Sequence, residues 1–301
     1  MSTRKPFVKG KFYKDDAKEL RKQIMACFQS EFCIGKKKKI QDMKIKSKRH
    51  IRAGIVPHAG YEFSGACSAN FYKEMLQHEL PNLIFIIGSN HSGFSSALTT
   101  DDFETPFGTA KTDVEIVNKL SNELGIDISE LVHRNEHSIE VQIPFLQYIY
   151  KIRKQKFRIV PLIIAEDIDY ADAGRKIREI ISEFEENRKE SKKSTIIVST
   201  DLTHYGMKYG YSPYFGSVKS VLQKIRNHDL KAISIIKQLD SKKLLSFVNI
   251  SQPTICGVYP VLVMMEALEN VKKVSLLKYY TSADINKKYD EIVSYSSIEF
   301  E

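Results

Sequence analysis

Residues 83–93 read L-I-F-I-I-G-S-N-H-S-G, and the fold turns on the first half of that stretch. Leu83 to Ile87 are apolar without alternation and are closed by Gly88, the pattern of a strand buried on both faces. Two segments of the same kind lie on either side of it in the chain: H-I-R-A-G-I-V-P before and S-T-I-I-V-S-T-D-L after. Helical spacing predicts helices at about 15–28, 64–78, 113–124, 138–150 and 170–186, with a strand at 157–164. Several helices follow residue 202, and residues 273–281 and 292–300 read as closing strands. Alternating strand and helix over most of the chain predicts one α/β domain spanning residues 1–301, with a central, largely parallel to mixed sheet and helices on both sides. Residues 1–50 are expected to contribute a helix and a lysine-rich loop packed on that domain. No internal repeat or Gly/Ser linker marks a second one.

Composition narrows the classes. The chain has 301 residues, of which 42% are hydrophobic, enough for a large core. It has no run of eighteen uncharged apolar residues, so no membrane partner is expected. The opening M-S-T-R-K-P-F-V-K-G has no apolar stretch of the secretory kind, which predicts a cytoplasmic protein. The formal charge of +9 raises the question of nucleic acid. Its lysine runs, at 36–39, 44–49 and 192–193, are not interleaved with aromatics, and they read as solvated loops. A nucleic-acid partner is therefore disfavoured. The four cysteines, Cys27, Cys33, Cys67 and Cys256, form no C-x-x-C pair, and three of them read as small buried hydrophobes.

Chemistry-bearing residues collect behind the buried strands. Each of three strands ends in a histidine-bearing loop: V-P-H-A-G-Y with His58, S-N-H-S-G with His91, and S-T-D-L-T-H-Y with Asp201 and His204. In open parallel sheets such loops share one rim, where sites are assembled. Taken singly, each residue has an ordinary reading: a hydrogen-bonded loop histidine for His58 and His91, and a turn cap for Asp201. The segment R-N-E-H-S-I-E-V-Q-I-P carries Glu136 and His137, with Asn135 or Glu136 as a helix cap in the ordinary reading. Cys256, in P-T-I-C-G-V-Y-P, precedes an apolar helix whose dipole favours a thiolate. Phosphate-loop, dinucleotide-binding, G-x-S-x-G and H-E-x-x-H motifs are absent, and no nucleotide cofactor is expected. What remains is a two-histidine site with a third ligand. A carboxylate there would suit Fe(II), and a thiolate copper or zinc.

Seven motifs in order, P-H-A-G-Y-x-F-S-G, I-I-G-x-N-H-S-G, T-P-F-G, E-H-S-I-E-V-Q-I-P-F-L-Q, I-V-P-L, S-T-D-L-T-H-Y-G and I-C-G-x-x-P, resemble the Memo family. Several resemble its archaeal branch most closely, and the resemblance runs from about Pro6 to near the end of the chain. It implies a fold like that of the class III extradiol dioxygenases. It also implies a metal, iron or copper with zinc as a further option, held by His58, His91 and Cys256. His204 falls where the related dioxygenases carry an acid–base histidine, with Asp201 to orient it and His137 as a second pocket histidine. Cys256 stands where those enzymes have a carboxylate, which argues for metal-binding or redox work over ordinary ring cleavage. An active dioxygenase or other oxidoreductase is the second expectation. A non-enzymatic module holding a small molecule or peptide over a vestigial site is the third. A homodimer is expected only from the family, and the receptor peptides of animal members are not carried over.

Overall fold

The computed structural model describes residues 2–35, 40–93, 95–186 and 193–301. The run at 36–39 and Lys192 lie outside the described residues. In chain order the elements are β1 (Thr3–Arg4), α1 (Ala17–Gln29), β2 (Ala53–Val56), α2 (Gly65–Met75), β3 (Leu83–Ser89), β4 (Ala97–Leu98), β5 (Asp102–Thr105) and β6 (Gly108–Thr112). Next come α3 (Val114–Leu124), α4 (Glu130–Arg134), α5 (Ile143–Arg153), β7 (Arg158–Ile164), α6 (Tyr170–Glu186), β8 (Ser194–Ser199) and β9 (His204–Tyr205). The chain closes with α7 (Val218–Lys237), α8 (Ser241–Ser251), α9 (Val258–Ala267), β10 (Val274–Thr281), α10 (Ser282–Asn286) and β11 (Ile292–Phe300). The predicted helix at 170–186 and strand at 292–300 coincide with α6 and β11.

One mixed sheet runs through the molecule in the order β1-β5-β6-β7-β3-β8-β2-β11-β10, with β4 added on β7 and β9 on β11. Its centre, β7-β3-β8-β2, is parallel. From β2 outward it turns antiparallel through β11 and β10. The opening stretch lies in the middle. Phe85 and Ile87 of β3 point into a core built with α3, α6 and α9, while Ile84 and Ile86 point into one built with α1, α2 and α5. Both faces are covered by helices, so alternate residues from Leu83 to Ile87 serve two cores and all five are apolar. Burying each such side chain is worth roughly 1.5–3 kcal/mol.

Two local departures from the sequence reading have physical causes. The helix expected from Ser138 starts as a 3-10 turn at Glu140–Gln142, and α5 begins only at Ile143. Pro144 sits in its first turn, where a missing N–H costs nothing. The β5–β6 hairpin was not predicted. Its strands, D-F-E-T and G-T-A-K-T, lack a run of apolar residues, and Gly108 turns between them with φ +108°. The N-terminal segment packs through Val8, Tyr13, Leu20, Ile24 and Phe28 into the core shared with α2 and α5.

The parallel centre brings three loops to one edge. Val56 of β2 pairs with Ser199 of β8, and β3 lies on the other side of β8. His58, His91 and Asp201 each follow the C-terminal end of one of these strands by two residues. No helix among the described residues is long and apolar enough to cross a membrane.

Candidate metal centre

Two close approaches assemble the site. At Gly88 an added Cβ would collide with the Ser138 hydroxyl, so only glycine lets the 136–138 segment lie against β3. At Gly257 a Cβ would stand 2.5 Å from the Thr200 side chain and 3.2 Å from Ser89 Oγ. This close fit sets Cys256 on the tips of β3 and β8. Sequence reading gave Gly257 no role, and its only signal is its place after Cys256.

Three imidazoles stand together. His58, His91 and His137 each offer a ring nitrogen, and these atoms all lie within 4.8 Å of one another. The ring centroids are 5.0 Å apart for His58 and His91, 5.3 Å for His58 and His137, and 4.5 Å for His91 and His137. This group is of a kind that could bind a metal ion. Cys256 lies beside it, with Sγ 3.2 Å from His58 Nε2.

The far side of each ring is tied down. His58 Nδ1 donates to the Ser199 carbonyl at 3.0 Å, which leaves Nε2 as the atom facing Cys256. His91 Nδ1 donates to both oxygens of Glu136, at 3.0 and 3.1 Å. A carbonyl or carboxylate behind an imidazole fixes tautomer and direction, as outer partners do for metal-ligating histidines. Glu136 is 1% exposed and also accepts the backbone N–H groups of His91, His137 and Ser138. It is not the helix cap the sequence suggested, since the 3-10 turn starts after Ile139 and α5 after Gln142; it closes the turn before them and is the anion behind His91, a role that sequence reading missed. The one hint was its place in E-H-S-I-E, directly before His137.

Charge is concentrated here. Burial opposes protonation of His91, but the Cys256 sulfur and the Glu136 carboxylate outweigh it and raise its pKa to about 10. His58 is raised too, with burial opposed by Cys256 and Asp201. Burial would raise the Cys256 thiol, yet His58, His91 and His204 hold it well below the usual thiol range. The Asp201 N–H donates to Cys256 Sγ at 3.2 Å and supports the same thiolate. Burial opposes ionisation of Glu136, but the two histidines beside it bring its pKa well below the carboxylate norm. His137 goes the other way: burial and the positive charges on His58 and His91 lower its pKa to about 3. The cluster therefore gathers a thiolate and a carboxylate around a His91 protonated at neutral pH, favours the charged form of His58 and keeps His137 neutral.

The cluster opens into a cavity of about 500 Å³, lined by His58, His91, His137, Asp201 and His204, with Phe12, Tyr209 and Tyr295 among the walls. All the sequence-predicted site residues except Cys256 line it, and Cys256 lies against its histidines. One expected role changes. His204 Nδ1 is held by the carbonyls of Leu202 and Thr254, at 3.0 and 3.1 Å, and not by Asp201. The Asp201 carboxylate instead accepts the His58 N–H at 2.9 Å, so it braces the first histidine loop. Burial raises the Asp201 pKa against the pull of His58.

Comparison with known proteins places the chain. A family profile described as Memo-like protein matches residues 4–299. A MEMO1 family protein of Methanopyrus kandleri is 34% identical over 305 residues, covering 99% of this chain and 98% of the relative. One from Pyrococcus furiosus is 32% identical over 304 residues, covering 98% of each. Among solved structures, an uncharacterized protein of Escherichia coli K12 shares the fold with a TM-score of 0.51 at 12% identity, covering 84% of this chain and all of its own. With nearly its whole length matched by the profile and by both relatives, the chain belongs to the Memo-like protein family.

Proposed function

We propose that this protein binds a redox-active transition metal, iron or copper, through His58 Nε2, His91 Nε2 and Cys256 Sγ. The observation that carries this reading is Cys256 Sγ at 3.2 Å from His58 Nε2, with both histidines tied at Nδ1 so that Nε2 is the free donor. The donor set suits the group: two imidazoles face a thiolate, and a cation bound between them would displace the imidazole protons. His137, neutral and within reach of both histidines, is the alternative third nitrogen. A bound iron or copper ion would supply one-electron redox chemistry. The chain's own residues supply the rest. His204 donates from Nδ1 to two carbonyls, so its Nε2 is the lone pair available to take a proton from a cavity ligand. Asp201 fixes the His58 backbone, and Phe12 and Tyr209 add aromatic surface to the cavity wall.

The test is metal stoichiometry. Protein purified without chelators and loaded anaerobically with Fe(II), Cu(I) or Zn(II) is expected to hold about one ion per chain. Cys256→Ala is expected to lower the affinity at least tenfold, and His137→Ala to leave it within a few-fold. Unchanged binding in Cys256→Ala together with loss in His137→Ala would replace the thiolate by the third imidazole. The same 3.2 Å contact is also nucleophile–base geometry, which supports a second reading as a thiol hydrolase. Iodoacetamide separates the two, because a ligating Cys256 is protected by metal and alkylated once a chelator is added.

A further inference from the structure

A second groove, of about 710 Å³, lies away from the histidine cavity and shares no lining residue with it. Its walls come from the start of α1, the β5–β6 turn, the C-terminal half of α5 and the residues leading into β7. Phe157 stands just before β7, whereas His58 and His91 follow the ends of strands parallel to it. Groove and cavity therefore occupy opposite edges of the sheet.

The groove is basic and has aromatic walls. Lys18, Arg21, Lys151 and Lys156 are exposed along it, and none has an ion-pair partner among the described residues. A fifth cation, Lys111, is neutralised by Asp102 at 2.6 Å, and no carboxylate lines the groove. The rings of Phe107 and Phe157 are half-buried in its walls, and Phe157 is backed by Tyr150 at 4.4 Å between centroids. Four like charges gathered without a counter-charge make a field that complements a polyanion. Three of the four are lysines, point charges suited to separated phosphates more than to the bidentate fork that favours carboxylates. Aromatic faces beside a cationic track are what unpaired bases stack on.

We propose that this groove binds single-stranded nucleic acid, with phosphates along Lys18, Arg21, Lys151 and Lys156 and bases against Phe107 and Phe157. The sequence gives the opposite expectation because its lysine runs contain no aromatics. The groove draws on none of those runs; the fold gathers isolated cations and rings from four separate segments.

Fluorescence anisotropy of a labelled oligonucleotide of about eight residues, titrated with the full chain across a salt series, tests this. Four phosphate contacts predict that log K falls with log salt at a slope of about −3. Reversing Lys151→Glu with Lys156→Glu is expected to weaken binding at least tenfold and roughly halve that slope. Lys18→Glu with Arg21→Glu, on a different element, is expected to do the same, so a folding failure in one pair leaves the other decisive. Phe107→Ala is expected to weaken binding about tenfold with the slope unchanged. Reversing Lys219→Glu with Lys242→Glu, exposed elsewhere, is the control expected to leave affinity intact. The proposal is overturned if both groove pairs bind like wild type, or if the control pair loses as much as they do. It is also overturned if polyglutamate competes as well as the oligonucleotide, or if a duplex of the same sequence binds as tightly.

Discussion

Glu136 shows most directly how one residue organises the candidate site. Its carboxylate holds His91 at both the backbone and Nδ1, and it closes the turn that begins at His137. Glu136→Gln keeps the size and one acceptor oxygen but removes the charge. We expect metal affinity to fall about 10- to 100-fold, as for other carboxylates behind ligating histidines, with the fold retained. Competition titration against a chromophoric chelator, alongside circular dichroism, measures both. Protons enter the same equilibrium. His91 is raised to about 10 without metal, so below that pH its proton competes with the cation. Affinity should rise by about tenfold per pH unit for each proton displaced between pH 6 and 9, and calorimetry in buffers of different ionisation enthalpy should detect at least about one proton released. A flat affinity over that range would remove His91 from the donor set. His58 and His91 could be singled out in the sequence because each closely follows a buried strand. The reach of Glu136 to His91, 45 positions earlier, could not, because an expected helix cap already accounted for the glutamate.

At the scale of elements, the junctions carry more information than the helices themselves. α6 and β11 follow from long, regular hydrophobic patterns. The β5–β6 hairpin does not, because its short strands take their place from pairing with β1 and β7 and not from an apolar run of their own. The N-terminal segment is held the same way, by tertiary bonds. Glu140 accepts from Arg4, from the N–H groups of Phe7 and Val8, and from the Tyr13 hydroxyl. Arg4 is itself 6% exposed and has Glu140 as its only carboxylate partner among the described residues. Glu140→Ala would leave a guanidinium, the Val8 N–H and the Tyr13 hydroxyl buried without it, and the part-buried Phe7 N–H as well. A loss of about 3–5 kcal/mol is expected in urea unfolding, with cleavage by trypsin appearing in the first fifteen or so residues before the rest of the chain. Gly257→Ala tests the other junction. Its Cβ would press on Thr200, so we expect a loss of about 1–3 kcal/mol and slower alkylation of Cys256 as its sulfur leaves the histidines.

The whole molecule has an acid-sensitive interior that the net charge of +9 does not reveal. His133 is 1% exposed and bonds through Nε2 to the Ala97 carbonyl at 3.1 Å. Burial lowers its pKa to about 3, against the Ala97 bond and with the help of Arg4. His50 is lowered to about 4 and His137 to about 3, both chiefly by burial. Each of these groups ionises near 6.5 in the unfolded chain. Their folded values are lower, so between about pH 6.5 and 4 the unfolded chain binds more protons. Stability is then whole above pH 6.5 and falls as the pH drops, by about 1.4 kcal/mol per unit for each such histidine. His58 and His91, raised in the folded state, are protonated in both states below pH 6.5, so they add no slope in this window. The sequence shows eight histidines and cannot separate the two sets, because the sign of each shift is decided by what packs around the ring. His133→Gln retains an N–H donor for Ala97 and cannot ionise. In urea unfolding at pH 6.5, 5.8 and 5.0, the variant's stability should fall less steeply than that of the wild type by about one proton's worth. Parallel curves would mean that His133 is already protonated inside the fold.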